Sequence, residues 1–137
     1  MKNNHLLAKI GQYALVSNQR GEVLVLERLR SKTWSLPGGR LNVGEECNKA
    51  FVREIKEETN LRISEFYPYT TNLITDPYQT KYCVYFITKV SNISDLRISP
   101  EHSNFKWVGI ADLSSLTLED ALVEKAISDF LKDRRIK

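Results

Sequence analysis

Cysteine, glycine, proline, methionine and histidine are all scarce in this sequence. Its two cysteines, Cys47 and Cys83, form neither a C-x-x-C pair nor a zinc-type spacing, which excludes a disulfide scaffold and a zinc module. Six glycines and four prolines exclude collagen-like and low-complexity chains. Apolar runs are short, such as the four-residue pieces Tyr13–Val16 and Val23–Leu26, so no segment reads as a membrane span. The opening MKNNHLLAKIGQ is too polar for a secretory signal. Reduced thiols and a cytoplasmic location are therefore expected, with no membrane partner. A net charge of +3 without a concentrated basic stripe suits a phosphate-bearing small molecule and argues against nucleic acid.

What is present is an ordinary globular composition, 42% hydrophobic and 27% charged over 137 residues. Such a length can bury a core without staples, and the absence of repeats or linkers predicts one domain over 1–137. Ala8–Ser17 and Glu22–Glu27 are β-prone and read as a hairpin around Asn18–Gly21. Thr33–Leu36 reads as a short strand stopped by Pro37-Gly38-Gly39. Glu45–Thr59 has no Gly or Pro and reads as a helix. Leu61–Thr75 and Lys81–Val90 read as a second hairpin around Asp76-Pro77, and Phe105–Gly109 as a short strand. Thr117 with Asp120 suggests a capping box for a last helix whose Val123, Ala126, Ile127, Phe130 and Leu131 share a core face. Arg134, Arg135 and Lys137 follow at its C-terminal end, where the Arg134-Arg135 pair complements the helix C-terminus. Interspersed strands and helices predict an α/β fold with a mixed sheet.

The Glu45–Thr59 segment breaks the amphipathic rule. On a wheel of about 100° per residue, Cys47, Ala50, Phe51 and Ile55 form one apolar arc. Glu54 and Glu58 fall inside that arc, and Glu57 at its edge. A Glu-rich helix face is ordinarily just solvated. Placement within the core-facing arc argues otherwise, because a partly buried carboxylate needs compensation. Arg53 can reach Glu57 at i+4, but one guanidinium cannot balance three carboxylates. A divalent cation can, and oxygen-only ligands suit Mg²⁺ or Mn²⁺. Upstream, Gly38 and Gly39 permit close backbone approach to a ligand, and the loop leads into a helix N-terminus that favours anions.

Gly39, five residues, Glu45, seven residues, then Arg53-Glu54-Ile55-Lys56-Glu57-Glu58-Thr59-Asn60-Leu61 resembles the Nudix box, with the box at 39–61. The one departure is Asn60 where the family has Gly, and Asn is the next-best residue for a left-handed helix end. The lead-in Trp34-Ser35-Leu36-Pro37 and the later Glu101-His102 with Phe105-Lys106-Trp107-Val108 are also similar to the family. The resemblance implies the Nudix fold, an α/β/α sandwich around a mixed β-sheet. It further implies Mg²⁺-dependent pyrophosphohydrolysis of a nucleoside diphosphate linked to another moiety X.

By the same resemblance, Glu54, Glu57 and Glu58 are the metal ligands, joined by the Gly38 carbonyl, and Arg53 orients the glutamates. Glu45, expected in the first helical turn, is read as structural. The general base comes either from a box glutamate or from a loop outside the box, where Glu101 is the candidate. His102 carries little weight as a phosphate contact. Arg28, Arg30, Lys32 and Arg40 flank the Gly loop, and Arg28 and Arg40 with Gly39 are candidate phosphate binders. Tyr13, Tyr78, Tyr82 and Phe105 are candidate stacking partners for a base. Pro77 and Tyr78 stand 16 and 17 residues past Leu61, so the family's markers for ADP-ribose and for dinucleoside polyphosphates cancel. Nucleoside triphosphates remain a third class. The other readings are a catalytically silent nucleotide-binding or regulatory module and an RNA 5′-end pyrophosphohydrolase. The sequence leaves oligomeric state open, and many relatives pair as homodimers.

Overall fold

Strands β1 (Lys9–Val16) and β2 (Val23–Arg28) are apolar on both faces, as strands covered on both sides must be. A computed structural model describes residues 4–136, so Lys137 lies outside the described residues. Ala14 and Val16 of β1 and Leu24 and Leu26 of β2 pack with Phe51 and Ile55 of helix α1 (Cys47–Thr59). Tyr13, Leu15, Val23 and Val25 point the other way, onto Val123, Ala126, Ile127 and Phe130 of helix α2 (Ala121–Lys132). One helix thus covers each face, giving the expected α/β/α layering.

The remaining strands are β3 (Trp34–Ser35), β4 (Gly38–Arg40), β5 (Ile63–Thr75), β6 (Thr80–Val90) and β7 (His102–Val108). They form two sheets, ordered β4-β1-β6-β5 and β3-β2-β7. The first is mixed, because β1 runs parallel to β6 and antiparallel to β4. This corrects the expected β1–β2 hairpin. Asn18 does close a turn, accepting from the Arg20 and Glu22 amides at 3.0 Å. Beyond one bridge, Ser17 to Val23, the strands separate. Both edges of β1 are already filled by β4 and β6, and those of β2 by β3 and β7, so neither has an edge free for the other. The β5–β6 hairpin forms as expected, its turn held by Asp76, which accepts from the Tyr78 and Gln79 amides at 2.7 and 2.9 Å. No helix among the described residues is long and apolar enough to cross a membrane.

Helix ends supply the other corrections. Glu46 caps α1, accepting from the Asn48 and Lys49 amides, so Glu45 precedes the helix rather than lying in its first turn. Cys47, the first helical residue, is exposed and does not share the apolar arc. Asp120 alone caps α2, through the Leu122 and Val123 amides. Thr117 instead gives its carbonyl to the Trp34 amide at 2.8 Å, extending the sheet edge. Beyond α2, Arg135 grips the carboxylate of the C-cap Asp133, with bonds of 2.9 and 2.6 Å.

Asn60 ends α1 in the left-handed conformation, φ 61° and ψ 10°, and its amide returns to the Lys56 carbonyl. Its side chain donates to the Asp95 carbonyl at 2.9 Å and accepts from Lys56 Nζ at the same distance. Asn60→Val should destabilise the protein by about 2 kcal/mol, since a β-branched residue resists positive φ. Asn60→Gly keeps the backbone at ease and should cost under about 1 kcal/mol, the worth of the lost side-chain bonds. Denaturant unfolding of the two variants checks this order.

Candidate active site

The Gly38-Gly39 strand is pressed between β1 and α1. Gly38 has φ 141°, and any Cβ there would strike the Gln12 carbonyl and Tyr13 Cα, both backbone atoms that cannot move aside. At Gly39 an added Cβ would meet Glu54 Oε2, a side-chain tip that could swing aside only by leaving its present place. The Pro37 carbonyl accepts from the Ala14 amide at 2.8 Å, which fixes the approach. The result is a bare backbone ribbon lying against acidic side chains.

Glu58 accepts from the Gly38 amide at 3.2 Å. Burial pushes its carboxyl up to about 8, a rise that the Gly38 bond opposes and the Glu54 and Glu101 charges reinforce. Glu54 is also raised, by burial first and then by the charges of Glu45, Glu57 and Glu101. Arg53 offsets part of this but is already engaged. It bonds both Glu57 oxygens at 3.0 Å and Glu45 Oε2 at 2.5 Å. Glu45 in turn accepts from the Asn42 amide at 2.8 Å, which together with Arg53 lowers its pKa. Arg53 therefore ties the loop before α1 to the helix surface.

These groups line one cavity of about 500 Å³, within the range of small-molecule sites. Gly38, Gly39, Arg28, Arg40, Arg53, Glu54, Glu57, Glu58 and Glu101 all reach it. Tyr78 does not: it projects from the β5–β6 turn, 94% exposed. Arg30 and His102 line a neighbouring groove that shares Arg28 and Glu101 with the cavity. The pKa of His102 is lowered by burial and by Arg28, so its ring is neutral near pH 7. Lys32, Tyr82 and Phe105 are exposed and line neither space.

The sequence reading considered Tyr13 only as a stacking group and missed Lys81 and Glu119, which line the same cavity as the carboxylates. A signal was available for Lys81. It shares the β6 register of Cys83 and Tyr85, both buried, so a charge stands where the alternation demands an apolar residue. Glu119, outside any strand or α-helix, had no comparable signature.

The donor set fits a hard divalent cation. The two least exposed of these carboxylates are short of compensating charge, the nearest cation is committed elsewhere, and the Cβ-free Gly39 lets the Glu54 carboxylate lie against the strand backbone. Among the described residues, no three acidic, histidine or cysteine groups already converge into a closed cage. Mg²⁺ does not require one, since it commonly binds one or two carboxylates and completes its shell with water and phosphate oxygens.

The raised Glu58 pKa fixes a direction for stability. The folded protein keeps this proton up to about pH 8, whereas the unfolded chain releases it near 4.5. The folded state binds more protons in that window, so this group's contribution is complete below pH 4.5 and is lost as pH climbs through 8. In EDTA, Glu58→Gln should therefore exceed wild type in stability by about 2–4 kcal/mol at pH 9, with little difference near pH 4. Denaturant titrations at the two pH values measure the gap.

Comparison with known proteins follows the same lines. The NUDIX domain family matches residues 8–130. An RNA pyrophosphohydrolase of Sphingopyxis alaskensis is 28% identical over 139 residues, covering 85% of this chain and 88% of that protein. A Bacillus subtilis protein provisionally named an 8-oxo-dGTP diphosphatase is 43% identical over 49 residues, covering 36% of this chain and 33% of its own length. The chain thus spans about a third of that relative. The crystal structure of a MutT protein from Methanosarcina mazei Go1 superposes with a TM-score of 0.75 at 26% identity, covering 95% of this chain and 96% of that one.

Proposed function

The chain belongs to the NUDIX family of hydrolases acting on pyrophosphate bonds, and from that premise we propose that it cleaves a nucleoside diphosphate linked to a second moiety, using Mg²⁺ or Mn²⁺. The observation that carries this reading is the pair Glu54 and Glu58, partly buried at the cavity and short of compensating charge beside a Cβ-free strand. The whole of 1–137 is read as one such domain, with its box at 39–61.

Glu54 and Glu58, with Glu57 and the Gly38 carbonyl, would hold the cation. When bound, it supplies charge neutralisation at the phosphates and makes water more acidic. Arg53 acts as a positioning residue, setting Glu57 and the loop before α1. Arg28, at the end of β2, and Arg40, at the end of β4, both line the cavity and bind phosphate oxygens. A water oxygen forms the new bond to phosphorus, the P–O–P bridge breaks, and the released proton passes to a carboxylate. Glu101 or a box glutamate takes that proton. Glu101 is exposed on the cavity rim, where its charge already acts on Glu54 and Glu58.

A second reading, hydrolysis at the 5′ end of RNA, draws on the Sphingopyxis relative, which matches along 85% of this chain. The exposed Arg30 and Lys32 beside the shared groove suit a polyanion leaving the cavity.

A panel of ADP-ribose, dinucleoside polyphosphates, nucleotide sugars, nucleoside triphosphates and 5′-triphosphorylated RNA, assayed for phosphate release with Mg²⁺, tests both readings. Turnover of at least one member is expected, lost in EDTA and restored by Mg²⁺. Glu54→Gln and Glu58→Gln should lower kcat by about 10²–10³ while the circular dichroism spectrum is unchanged. A near-wild-type rate in Glu58→Gln would remove that residue from the reaction.

A further inference from the structure

The cavity is lined by two sets of groups of different character. One is the α1 carboxylates. In the other, Lys81 is a charged side chain only 8% exposed. Its ammonium lies 5.4 Å from the Tyr13 ring centroid and donates to the Tyr13 hydroxyl at 3.2 Å. An ammonium carries three donors, so further hydrogens remain for a ligand. Tyr13 is buried and accepts from Lys81, which leaves its own hydroxyl hydrogen free to donate.

Glu119 completes this set. Its amide donates to the Trp34 carbonyl at 2.8 Å, which anchors it to β3. Its Oε1 takes Arg28 Nη2 at 3.2 Å. Among the described residues its Oε2 is buried with no hydrogen-bond partner, as is Arg28 Nε. A buried carboxylate oxygen without a donor is costly, so a ligand donor there would be rewarded. Burial works against the Lys81 charge, yet Tyr13 first, then Cys83 and Glu119, more than offset it and hold the pKa above the ordinary lysine value.

The set therefore offers two donors, from Lys81 and Tyr13, and one acceptor, Glu119 Oε2. A phosphate cannot use the acceptor and is repelled by it. A carbonyl oxygen with two lone pairs, placed beside a ring N–H, can use all three. We propose that Lys81, Tyr13 and Glu119 read the lactam edge of a purine, so that the nucleoside half of the substrate is of the guanine or hypoxanthine type. Adenine offers at that edge an amino donor, which could meet Glu119 Oε2, but only one ring-nitrogen lone pair, so one of the two donors from Lys81 and Tyr13 would be left unpaired. Lysine to a guanine carbonyl and a carboxylate to a base N–H are established pairings in base recognition. Arg28 touches both sets, acting on Glu58 electrostatically and on Glu119 directly. A base held by Lys81, Tyr13 and Glu119 would leave the α1 carboxylates to the phosphate half of the substrate.

This inference rests on the hydrolase reading for the identity of the ligand, but its test reads binding without turnover. IMP and AMP differ only at the edge in question. Calorimetry of the intact chain in Mg²⁺ buffer should show IMP binding about tenfold more tightly than AMP. Lys81→Met and Glu119→Gln should each bring the two affinities within about twofold of one another. Lys81→Met keeps the length of a buried side chain, and Glu119, being partly exposed, provides an independent variant if the first fails to fold. Equal affinities in wild type overturn the proposal, as does a preference that survives both substitutions. So does a loss common to IMP and AMP, which would make Lys81 a phosphate contact. Preference without hydrolysis of any nucleotide would sink the hydrolase reading and leave this one standing, and hydrolysis without preference would do the reverse.

Discussion

The structure depends on a close contact between a strand with no side chains and a helix with too many negative ones. Gly38 lies where the β1 backbone leaves no space for a Cβ, and a Cβ on Gly39 would displace the Glu54 carboxylate. That approach is what brings the Gly38 amide to Glu58 and sets both carboxylates at the cavity mouth. Open the strand from the helix by the width of a methyl group and the carboxylates would regain water, their pKa values would fall, and the demand for a cation would vanish. Charge frustration at this point is held in place by backbone geometry.

The rest of the molecule maintains that contact. Glu46 and Asn60 cap α1 at its two ends, and Phe51 and Ile55 anchor its apolar face on Ala14, Val16, Leu24 and Leu26. Arg53 works differently. Its two carboxylate partners belong to the loop and to the helix, so it sets one relative to the other without entering the core. Exposed ion pairs contribute little to stability, which is consistent with a role in positioning.

Much of this was legible in the sequence because α1 violates its own periodicity. Glu54 and Glu58 stand out only against the apolar arc of Ala50, Phe51 and Ile55, and the structure does place those three in the core. The α2 core face and the β5–β6 hairpin were equally plain, since both follow from local pattern. The parallel β1–β6 pairing was not, because it joins residues some seventy apart and no local rule dictates it. Glu45 was misplaced by a boundary shift of two residues, with Glu46 taking the cap. Glu119 was invisible for a different reason: its significance lies in a buried oxygen left unpaired, which only coordinates reveal.

The division into two sheets has a mechanical meaning. Tyr13 and Lys81 hang from the four-stranded sheet, while Arg28 lies on the three-stranded one and Glu119 is pinned to its edge at Trp34. A nucleotide filling the space between them would act as a strut, bracing the two halves of the sandwich against each other. Occupancy would then be felt by the whole scaffold, and the melting temperature would climb with ligand concentration by mass action.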